Sequence, residues 1–415
     1  MIALFGRIST IPLSLVVLLT LGVGPAAPAA ERRGERMTPL LLAVHDAPIP
    51  FNGSDGRTHL VYELWITNFS SGDATVEQVD VLGDGTILET LDAAAMSARL
   101  QPAGRRDARA TMPSSTTSLL FLHLTLAPAA RVPARLSHQV RAHIDAAPPG
   151  QQQMTISGGD VTVDRRHVVV IGPPLRGARF VAADSCCDAT RHTRAALSVD
   201  GHVRIAQRYA VDWEQLDDAG RVYVGPREQL TSYTIFGHEA LAVANARVVM
   251  ALDGLPEQVP GKLPEAIPLT EADGNAVVLD LGGGRFALYA HLQPGSLRVR
   301  VGDHVTRGQT LGLVGNSGNS SAPHLHFHVM DGPSPLASNG LPYEIDAFAV
   351  TGHSSGTAAF DHAEESGEPL AFTPVDPPRR VTRALPLDQT VVEFPASSAQ
   401  RTPAMPSRLL GRRNR

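Results

Sequence analysis

Three histidines, His324, His326 and His328, stand at alternate positions and are separated by Leu325 and Phe327. In a β-strand successive side chains point to opposite faces, so the three imidazoles share one face while the two apolar side chains can pack on the other. Neutral imidazole nitrogen is a good Zn²⁺ ligand, whereas protonated imidazoles crowded together repel each other. The pattern therefore predicts a strand that carries a metal or catalytic centre.

A further imidazole ends a second predicted strand. His291 lies two residues after Tyr289, and alternation along that strand places both side chains on one face. If this strand belongs to the same sheet as the three histidines, His291 can join them. A catalytic metal keeps a position open for water, and imidazoles that do not bind the metal can take up a proton or stabilise an oxyanion.

A carboxylate is a common third ligand of catalytic zinc. Asp212 is the leading candidate, because it follows an apolar-polar strand and lies among aromatic residues, with Trp213 directly after it. The alternative interpretation is that Asp212 only caps a turn at the end of that strand.

Strands and turns must position these side chains. The chain contains 37 glycines and 32 prolines and many runs of Val and Thr, which favours a mostly β fold over long helices. Residues 276–281 and 286–292, joined by three glycines, predict a hairpin. The glycines between 302 and 318 predict tight β-turns, and four prolines between 256 and 268 predict a stiff loop beside a substrate groove.

The order of strand and turn signals predicts two domains and a tail. Residues 37–145 are predicted to form an immunoglobulin-like β-sandwich, because strand patterns such as 59–68 and 118–126 alternate with turns. A Pro-rich linker at 146–150 precedes a second β-rich domain, which we expect to span 157–350. Residues 351–415 are polar and Pro-rich and are predicted to be a disordered tail.

The first thirty residues read as an export signal. Arg7 precedes the apolar run 11–24, and small residues at 27 and 29 flank a cleavage site. The alternative is a membrane anchor, but the run is shorter than the ~20 residues of a spanning helix. We therefore expect a periplasmic or secreted protein with no stable membrane anchor. The net charge of −5 gives no support to a nucleic-acid partner.

The two cysteines of the chain, Cys186 and Cys187, are adjacent. Normal disulfide geometry separates the Cα atoms more widely than neighbouring residues allow, so an ordinary cross-link is not expected. A buried turn and a metal-binding role both remain open.

The stretch 315–327, the segment 289–292 and the residues 299–315 between them resemble, in order and spacing, the lysostaphin-like, LytM-type M23 metallopeptidases. The resemblance covers roughly residues 190–350, which is under half of the chain. It implies a small antiparallel β-sheet with a narrow groove and one Zn²⁺ bound through two His and one Asp. It also implies cleavage of peptide bonds in peptidoglycan stems or cross-bridges.

Carried over residue by residue, the resemblance makes His326 and Asp212 zinc ligands and His291 and His324 the catalytic imidazoles. Tyr289 and His328 would then support the site from beside it.

One position departs from the family pattern, which has a His four residues before the Asp. Arg208 stands there, and a guanidinium has no lone pair for a metal. Either another histidine serves, with His192 favoured over His202 and His238, or the chain is inactive. An inactive chain would be a LytM-like protein that binds the wall or activates an amidase.

Overall fold

The computed structural model describes residues 37–395, so the predicted export signal at residues 1–30 lies outside the described residues. Within this range the fold is mostly β, as predicted, and no helix is both long and apolar enough to cross a membrane. The described residues from Pro39 onward belong to one compact unit.

The first ten strands form two antiparallel sheets that enclose a shared apolar core, which we call the sandwich. One sheet has the order β1-β3-β8-β6, with β2 beside β3, and the other has the order β10-β9-β4-β5, with β7 beside β4. A short helix, α1 (Ala93–Arg99), precedes β6. The strands are β1 Leu40–Ala43, β2 Phe51–Asn52, β3 Thr58–Asn68, β4 Ala74–Gly83, β5 Thr86–Leu91, β6 Leu100–Pro102, β7 Thr111–Met112, β8 Thr117–Leu126, β9 Arg135–Ile144 and β10 Gln153–Thr162.

The predicted boundary at residue 145 is wrong, because the sandwich continues through β10. That strand pairs antiparallel with β9, so the predicted linker at 146–150 is the turn of a hairpin. Its Pro and Gly residues suit a turn as well as a linker, which is why composition alone misled. The likeness of the sandwich to an immunoglobulin domain stays a prediction.

Strands β3 and β8 are covered on both faces. Even-numbered residues such as Leu60 and Leu122 point into the sandwich core. Odd-numbered residues point outward, and Val61 and Phe121 among them pack against the rest of the chain. The outer face of this sheet is therefore an internal boundary, which we call the seam.

The remaining strands build a large sheet of twelve strands and two small pairs, β13-β14 and β16-β21. Its order is β11-β24-β26-β12-β15-β22-β19-β18-β17-β20, with β23 beside β22 and β25 beside β24. Short 3₁₀ turns occur at Leu230–Ser232 and Leu269–Glu271. The strands are β11 Val169–Ile171, β12 Gly177–Ala183, β13 Leu197–Val199, β14 His202–Arg204, β15 Val211–Gln215, β16 Glu239–Leu241, β17 Ala246–Leu252, β18 Asn275–Asp280, β19 Phe286–Leu292, β20 His304–Val305, β21 Thr310–Leu313, β22 Leu325–Met330, β23 Gly340–Leu341, β24 Tyr343–Ser354, β25 Phe372–Ala384 and β26 Thr390–Phe394.

The predicted hairpin is present as β18 and β19, which pair antiparallel. The histidine strand β22 lies between β15 and β19, near the middle of the large sheet. Its apolar residues Leu325, Phe327 and Val329 are fully buried in the main core. The alternation expected for this strand is therefore what holds the imidazoles on its other face.

The predicted disordered tail is wrong for residues 351–395. Strand β24 continues to Ser354, the helix α2 (Thr357–Ser366) follows, and β26 inserts between β24 and β12. Val391, Val392 and Phe394 of β26 are buried, and Phe360 of α2 packs in a second apolar cluster. A few apolar residues in a polar segment were enough to form these elements, since the large sheet offered a place for each.

Candidate active site

Strand register brings the predicted residues together. In the pairing of β15 with β22, Asp212 lies opposite His326, and in the pairing of β19 with β22, Ala290 lies opposite His326. The side chains of the first pair meet, with Nδ1 of His326 2.8 Å from Oδ1 of Asp212. Residues 114 positions apart in the sequence are thus neighbours because two antiparallel strands pair in this register.

Two more imidazoles converge on the same carboxylate. Nε2 of His324 lies 3.4 Å from Oδ1 of Asp212, and Nε2 of His192 lies 3.3 Å from Oδ2. The ring of His291 lies beside that of His324, with centroids 4.7 Å apart. The predicted residues His192, Asp212, His291 and His324 therefore form one cluster with His326.

Main-chain carbonyl groups select the tautomer of three of these rings. Nδ1 of His192 donates to the carbonyl oxygen of Asp184 at 2.8 Å, and Nδ1 of His324 donates to that of Ala322 at 2.8 Å. Nδ1 of His291 likewise donates to a main-chain carbonyl at 2.7 Å. A carbonyl oxygen only accepts, so each neutral ring carries its proton on Nδ1 and a lone pair on Nε2.

His326 is turned the other way. Its Nδ1 faces Asp212, and its Nε2 lies 3.0 Å from Nδ1 of His328. When His326 donates from Nε2 to His328, its Nδ1 presents a lone pair to the carboxylate. In the other tautomer, Nδ1 of His326 donates to the carboxylate and Nε2 accepts from Nδ1 of His328. His328 is fully buried, and within residues 37–395 its Nε2 has no hydrogen-bond partner.

Charge and burial shift the acidity of the cluster in opposite directions. Burial works against ionisation, but the neighbouring His192 and His324 hold the pKa of Asp212 well below its usual value. Burial would also lower the pKa of His192, yet Asp212 raises it to about 9. Burial and the adjacent imidazoles lower the pKa of His291 and of His328 well below 6.5. Asp212 is thus ionised at neutral pH, and its negative charge favours a cation at this position.

A cavity of about 660 Å³ opens onto the cluster. Its walls include Arg106 from the sandwich, the segment 319–322 and residues of helix α2 such as Asp361 and Glu364. Arg191 ties the loop before His192 to this helix, donating to Asp184 at 2.8 Å and to both carboxylate oxygens of Asp361. The segment predicted to be a disordered tail therefore supplies one wall of the groove.

Arg208 points away from the site. Its guanidinium donates to both carboxylate oxygens of Glu63, on the outer face of β3, at 3.0 and 2.7 Å, and only 5% of Arg208 and 3% of Glu63 are exposed. Arg208 is therefore a buried ionic link across the seam and does not occupy a ligand position.

Of the three histidines considered in place of the missing ligand, only His192 reaches the cluster. His202 is exposed on the short strand β14. His238 packs edge-on against Phe180, with ring centroids 6.1 Å apart, and does not line the cavity.

Tyr289 lies on the opposite face from the imidazoles, contrary to the prediction. It pairs with Phe327 in the core, and its hydroxyl accepts a hydrogen bond from the main-chain N–H of Val243 at 2.9 Å. His291 nevertheless faces the site because its φ of 61° breaks the alternation at the end of β19. Tyr289 therefore packs in the core beneath β19 and does not lie beside the imidazoles as expected.

Several acidic residues of the cavity were missed, and two of them, Glu214 and Glu364, lie close to each other. Glu214 follows Asp212 by two positions on β15, is 5% exposed and, within the described range, has an Oε2 atom without a partner. Burial and the nearby Glu364 raise its pKa well above 4.5. Alternation along β15 could have revealed Glu214. Glu364 could not have been found, since it lies on helix α2 in the predicted tail.

Comparison with known proteins gives this site a family. Residues 236–338 match the model of Peptidase family M23. The chain therefore carries an M23 peptidase domain, in agreement with the resemblance found in the sequence. The matched segment contains His291, His324 and His326, whereas His192 and Asp212 lie before it.

Curated relatives match over short segments. The chain is 40% identical over 57 residues to peptidoglycan DD-endopeptidase ShyA of Vibrio cholerae serotype O1, which is 14% of this chain and 13% of that protein. It is 39% identical over 71 residues to lysostaphin of Staphylococcus staphylolyticus, which is 17% of this chain and 14% of that protein. The chain thus spans about one seventh of the length of these relatives.

Among solved structures, the catalytic domain of the antimicrobial peptidase lysostaphin from Staphylococcus simulans aligns at 20% identity with a TM-score of 0.22. The alignment covers 39% of this chain and 88% of that one.

Proposed function

We propose that this protein is an exported zinc metallo-endopeptidase that hydrolyses peptide bonds in peptidoglycan. The observation that carries the proposal is the convergence of three imidazoles on the carboxylate of Asp212, with His291 beside them, at the floor of an open groove. His192, His324 and His326 each approach Asp212 within 3.4 Å. The curated relative ShyA is by name a peptidoglycan DD-endopeptidase, which supports the choice of substrate.

The donor set fits zinc. His192 offers Nε2, His326 offers Nδ1 and Asp212 offers a carboxylate oxygen, and these three atoms lie within 4.8 Å of one another. Two imidazoles and one carboxylate are a common ligand set for catalytic zinc. The hydrogen bonds from Nδ1 of His192 to a carbonyl and between His326 and His328 orient the rings, as partners of metal-binding histidines usually do. When bound, Zn²⁺ supplies Lewis acidity toward the scissile carbonyl and toward water.

His291 and His324 do not belong to this donor set, and we assign them to proton transfer. Each holds Nδ1–H on a main-chain carbonyl, so each presents Nε2 toward the groove. In the proposed mechanism one of them accepts the proton of the attacking water, and the other, once protonated, donates to the oxyanion. Their buried, hydrogen-bonded rings need little reorganisation for this step.

The groove suits an extended peptide better than a small compact substrate. Its volume of about 660 Å³ is bordered by several separate parts of the chain, and acidic and basic side chains both line it. A peptide strand could lie across the cluster with its flanking groups on Arg106 and on helix α2.

The test begins with the metal. Purified full-length protein should contain one zinc per chain, and His326→Ala should lose it, whereas His202→Ala, a change at an exposed histidine away from the cavity, should keep it. A preparation without stoichiometric zinc, or loss of zinc in both variants, would refute the metal site.

Activity and export need separate measurements. Digestion of purified sacculi should release soluble fragments with wild type and not with a zinc-loaded His324→Ala variant. Release of fragments at the wild-type rate by that variant would contradict the mechanism. Cell fractionation of full-length protein and of a variant lacking residues 1–30 tests export, which predicts loss of the extracytoplasmic protein in the deletion variant.

The alternative of an inactive wall-binding or amidase-activating protein rested on Arg208. Because Arg208 pairs with Glu63 in the seam and His192 reaches Asp212, the geometry no longer favours that alternative.

A further inference from the structure

A second cluster of metal-ligating side chains lies at the seam, away from the cavity. His59 of β3 and His123 of β8 point outward from the sandwich, and Nδ1 of His59 lies 2.8 Å from Nε2 of His123. Cys187 of the loop after β12 lies beside them, and its sulfur is within 4.8 Å of a nitrogen of each ring. No part of this cluster belongs to the proposed active site.

Carboxylates fix the tautomers of both rings. Oδ1 of Asp55 lies 3.0 Å from Nε2 of His59, and Oδ2 of Asp188 lies 3.2 Å from Nδ1 of His123. An ionised carboxylate only accepts hydrogen bonds, so these two ring nitrogens carry the protons. In the neutral rings, the nitrogens that face each other across 2.8 Å are therefore both lone pairs.

Two facing lone pairs need something positive between them. The hydroxyl of Thr125 lies 3.5 Å from Nδ1 of His59 and 3.3 Å from Nε2 of His123, and its single hydrogen can serve only one of them. A shared proton would make one ring an imidazolium, which supplies a positive charge but gives the sulfur of Cys187 beside the rings no role. A metal ion satisfies both nitrogens at once, and a carboxylate behind each imidazole is the arrangement usual for metal-binding histidines.

The oxidation state of the Cys187 sulfur determines whether such a site is complete. Cys187 is joined to Cys186 by a disulfide between neighbouring residues, although an ordinary cross-link was not expected there. A disulfide sulfur is not a thiolate, and the thiolate is the form of cysteine that binds metals. Two imidazoles alone make an incomplete site, whereas two imidazoles and one thiolate make three of the four ligands of a tetrahedral centre.

We propose that His59, His123 and Cys187 form a redox-gated site for a thiophilic transition-metal ion such as Zn²⁺, which assembles when the Cys186–Cys187 disulfide is reduced. An external dithiol supplies two electrons and two protons, so that it becomes a disulfide while Cys186 and Cys187 become thiols. The thiol of Cys187 then releases its proton to solvent as its sulfur binds the metal.

The site would join the two parts of the chain. Two ligands stand on the sandwich, and the third stands on the loop that also carries Asp188 and, four residues further on, His192. This inference does not depend on peptidase activity, because neither ring nor sulfur touches the cavity.

Co²⁺ binding to the metal-free full-length protein tests the proposal, because a thiolate ligand gives Co²⁺ an intense charge-transfer absorption that histidine and carboxylate ligands do not. Protein reduced with tris(2-carboxyethyl)phosphine should bind one more Co²⁺ per chain than oxidised protein and show this absorption. Equal binding and no thiolate absorption after complete reduction would overturn the proposal.

Two variants that both lack the disulfide separate the roles of the sulfurs. Cys186→Ser leaves Cys187 permanently free, so it should bind the additional Co²⁺ without any reductant. Cys187→Ser should not bind the additional Co²⁺, with or without reductant, although it lacks the same disulfide. Identical behaviour of the two variants would refute the assignment of Cys187, and persistence of the absorption in Cys186→Ser combined with His123→Ala would refute that of the imidazoles.

Discussion

The ion pair of Arg208 with Glu63 makes a strong prediction about stability. Both residues are at least 95% buried, and the two hydrogen bonds of 3.0 and 2.7 Å form a bidentate pair. Removing one partner of such a pair leaves an uncompensated buried charge, which costs about 3–5 kcal/mol. Asp46 lies 3.5 Å from the same guanidinium but is half-exposed, so it can offset only a small part of that cost.

Glu63→Gln should therefore lower the free energy of unfolding by about 3–5 kcal/mol, which is more than a hundredfold in the ratio of folded to unfolded protein. Urea unfolding at neutral pH, followed by circular dichroism, measures the change as a shift of the midpoint. Arg208→Met should cost a similar amount. The double variant Glu63→Gln with Arg208→Met should recover most of the loss, because no charge then remains buried without a partner.

The same variants test the interpretation of the departure from the family pattern. Zinc content should stay at the wild-type level in Arg208→Met, since its guanidinium contacts the sandwich and not the cluster. A cost below about 1 kcal/mol for Glu63→Gln, the range of exposed pairs, would refute the argument that the link is buried and structural.

Three further predictions concern the site and its surroundings. His192→Ala should lose zinc while His202→Ala keeps it, measured by metal analysis of protein purified in parallel; equal zinc in both would remove His192 from the ligand set. His291→Ala should retain zinc but lose about 10²–10⁴-fold in the rate of sacculus digestion, the usual range for a proton-transferring residue, and an unchanged rate would exclude that role. Burial raises the pKa of Glu257 to about 7, above its value of 4.5 in the unfolded chain, so its contribution to stability is present at low pH and falls as pH rises from about 4.5 through 7. Glu257→Gln should flatten that part of the dependence in urea titrations at several pH values, and an identical pH profile in variant and wild type would contradict it.

The sequence predicted correctly those parts of the fold and site that depend on the local alternation of side chains along a strand. The period of two in 324–328 depends only on neighbours along the chain, and it correctly placed Leu325 and Phe327 in the core and the imidazoles opposite. The hairpin of β18 and β19 was equally local, because three glycines stand between two apolar runs.

Features that depend on distant partners could not be predicted in this way. Strand β26 is a short apolar run in a mostly polar segment, and its position between β12 and β24 depends on strands far away in the sequence. The face of His291 was inferred correctly for the wrong reason, since its positive φ and not alternation turns it toward the site. Arg208 could be read only as an absent ligand, because its partner Glu63 lies 145 residues away.

A ligand carried by a loop requires that the loop itself be held in place. His192 lies on the loop after β12, and distant parts of the chain anchor this loop. Asp188 pairs with Arg99 of the sandwich at 2.7 Å, and Arg191 pairs with Asp361 of helix α2 at 2.9 Å. The hydroxyl of Ser185 donates to the main-chain carbonyl of residue 386 at 2.7 Å.

These anchors fix the position of His192, the proposed histidine ligand, which does not stand four residues before Asp212. A ligand at position 208, four residues before Asp212, would lie in the turn that leads directly into β15. With the proposed ligand on the loop instead, position 208 carries the link between Arg208 and Glu63, and the proposed metal site depends on the sandwich and on α2. A shortened chain limited to residues 236–338 would lack Asp212 and His192 altogether, so the site proposed here needs the elements on both sides of the family match.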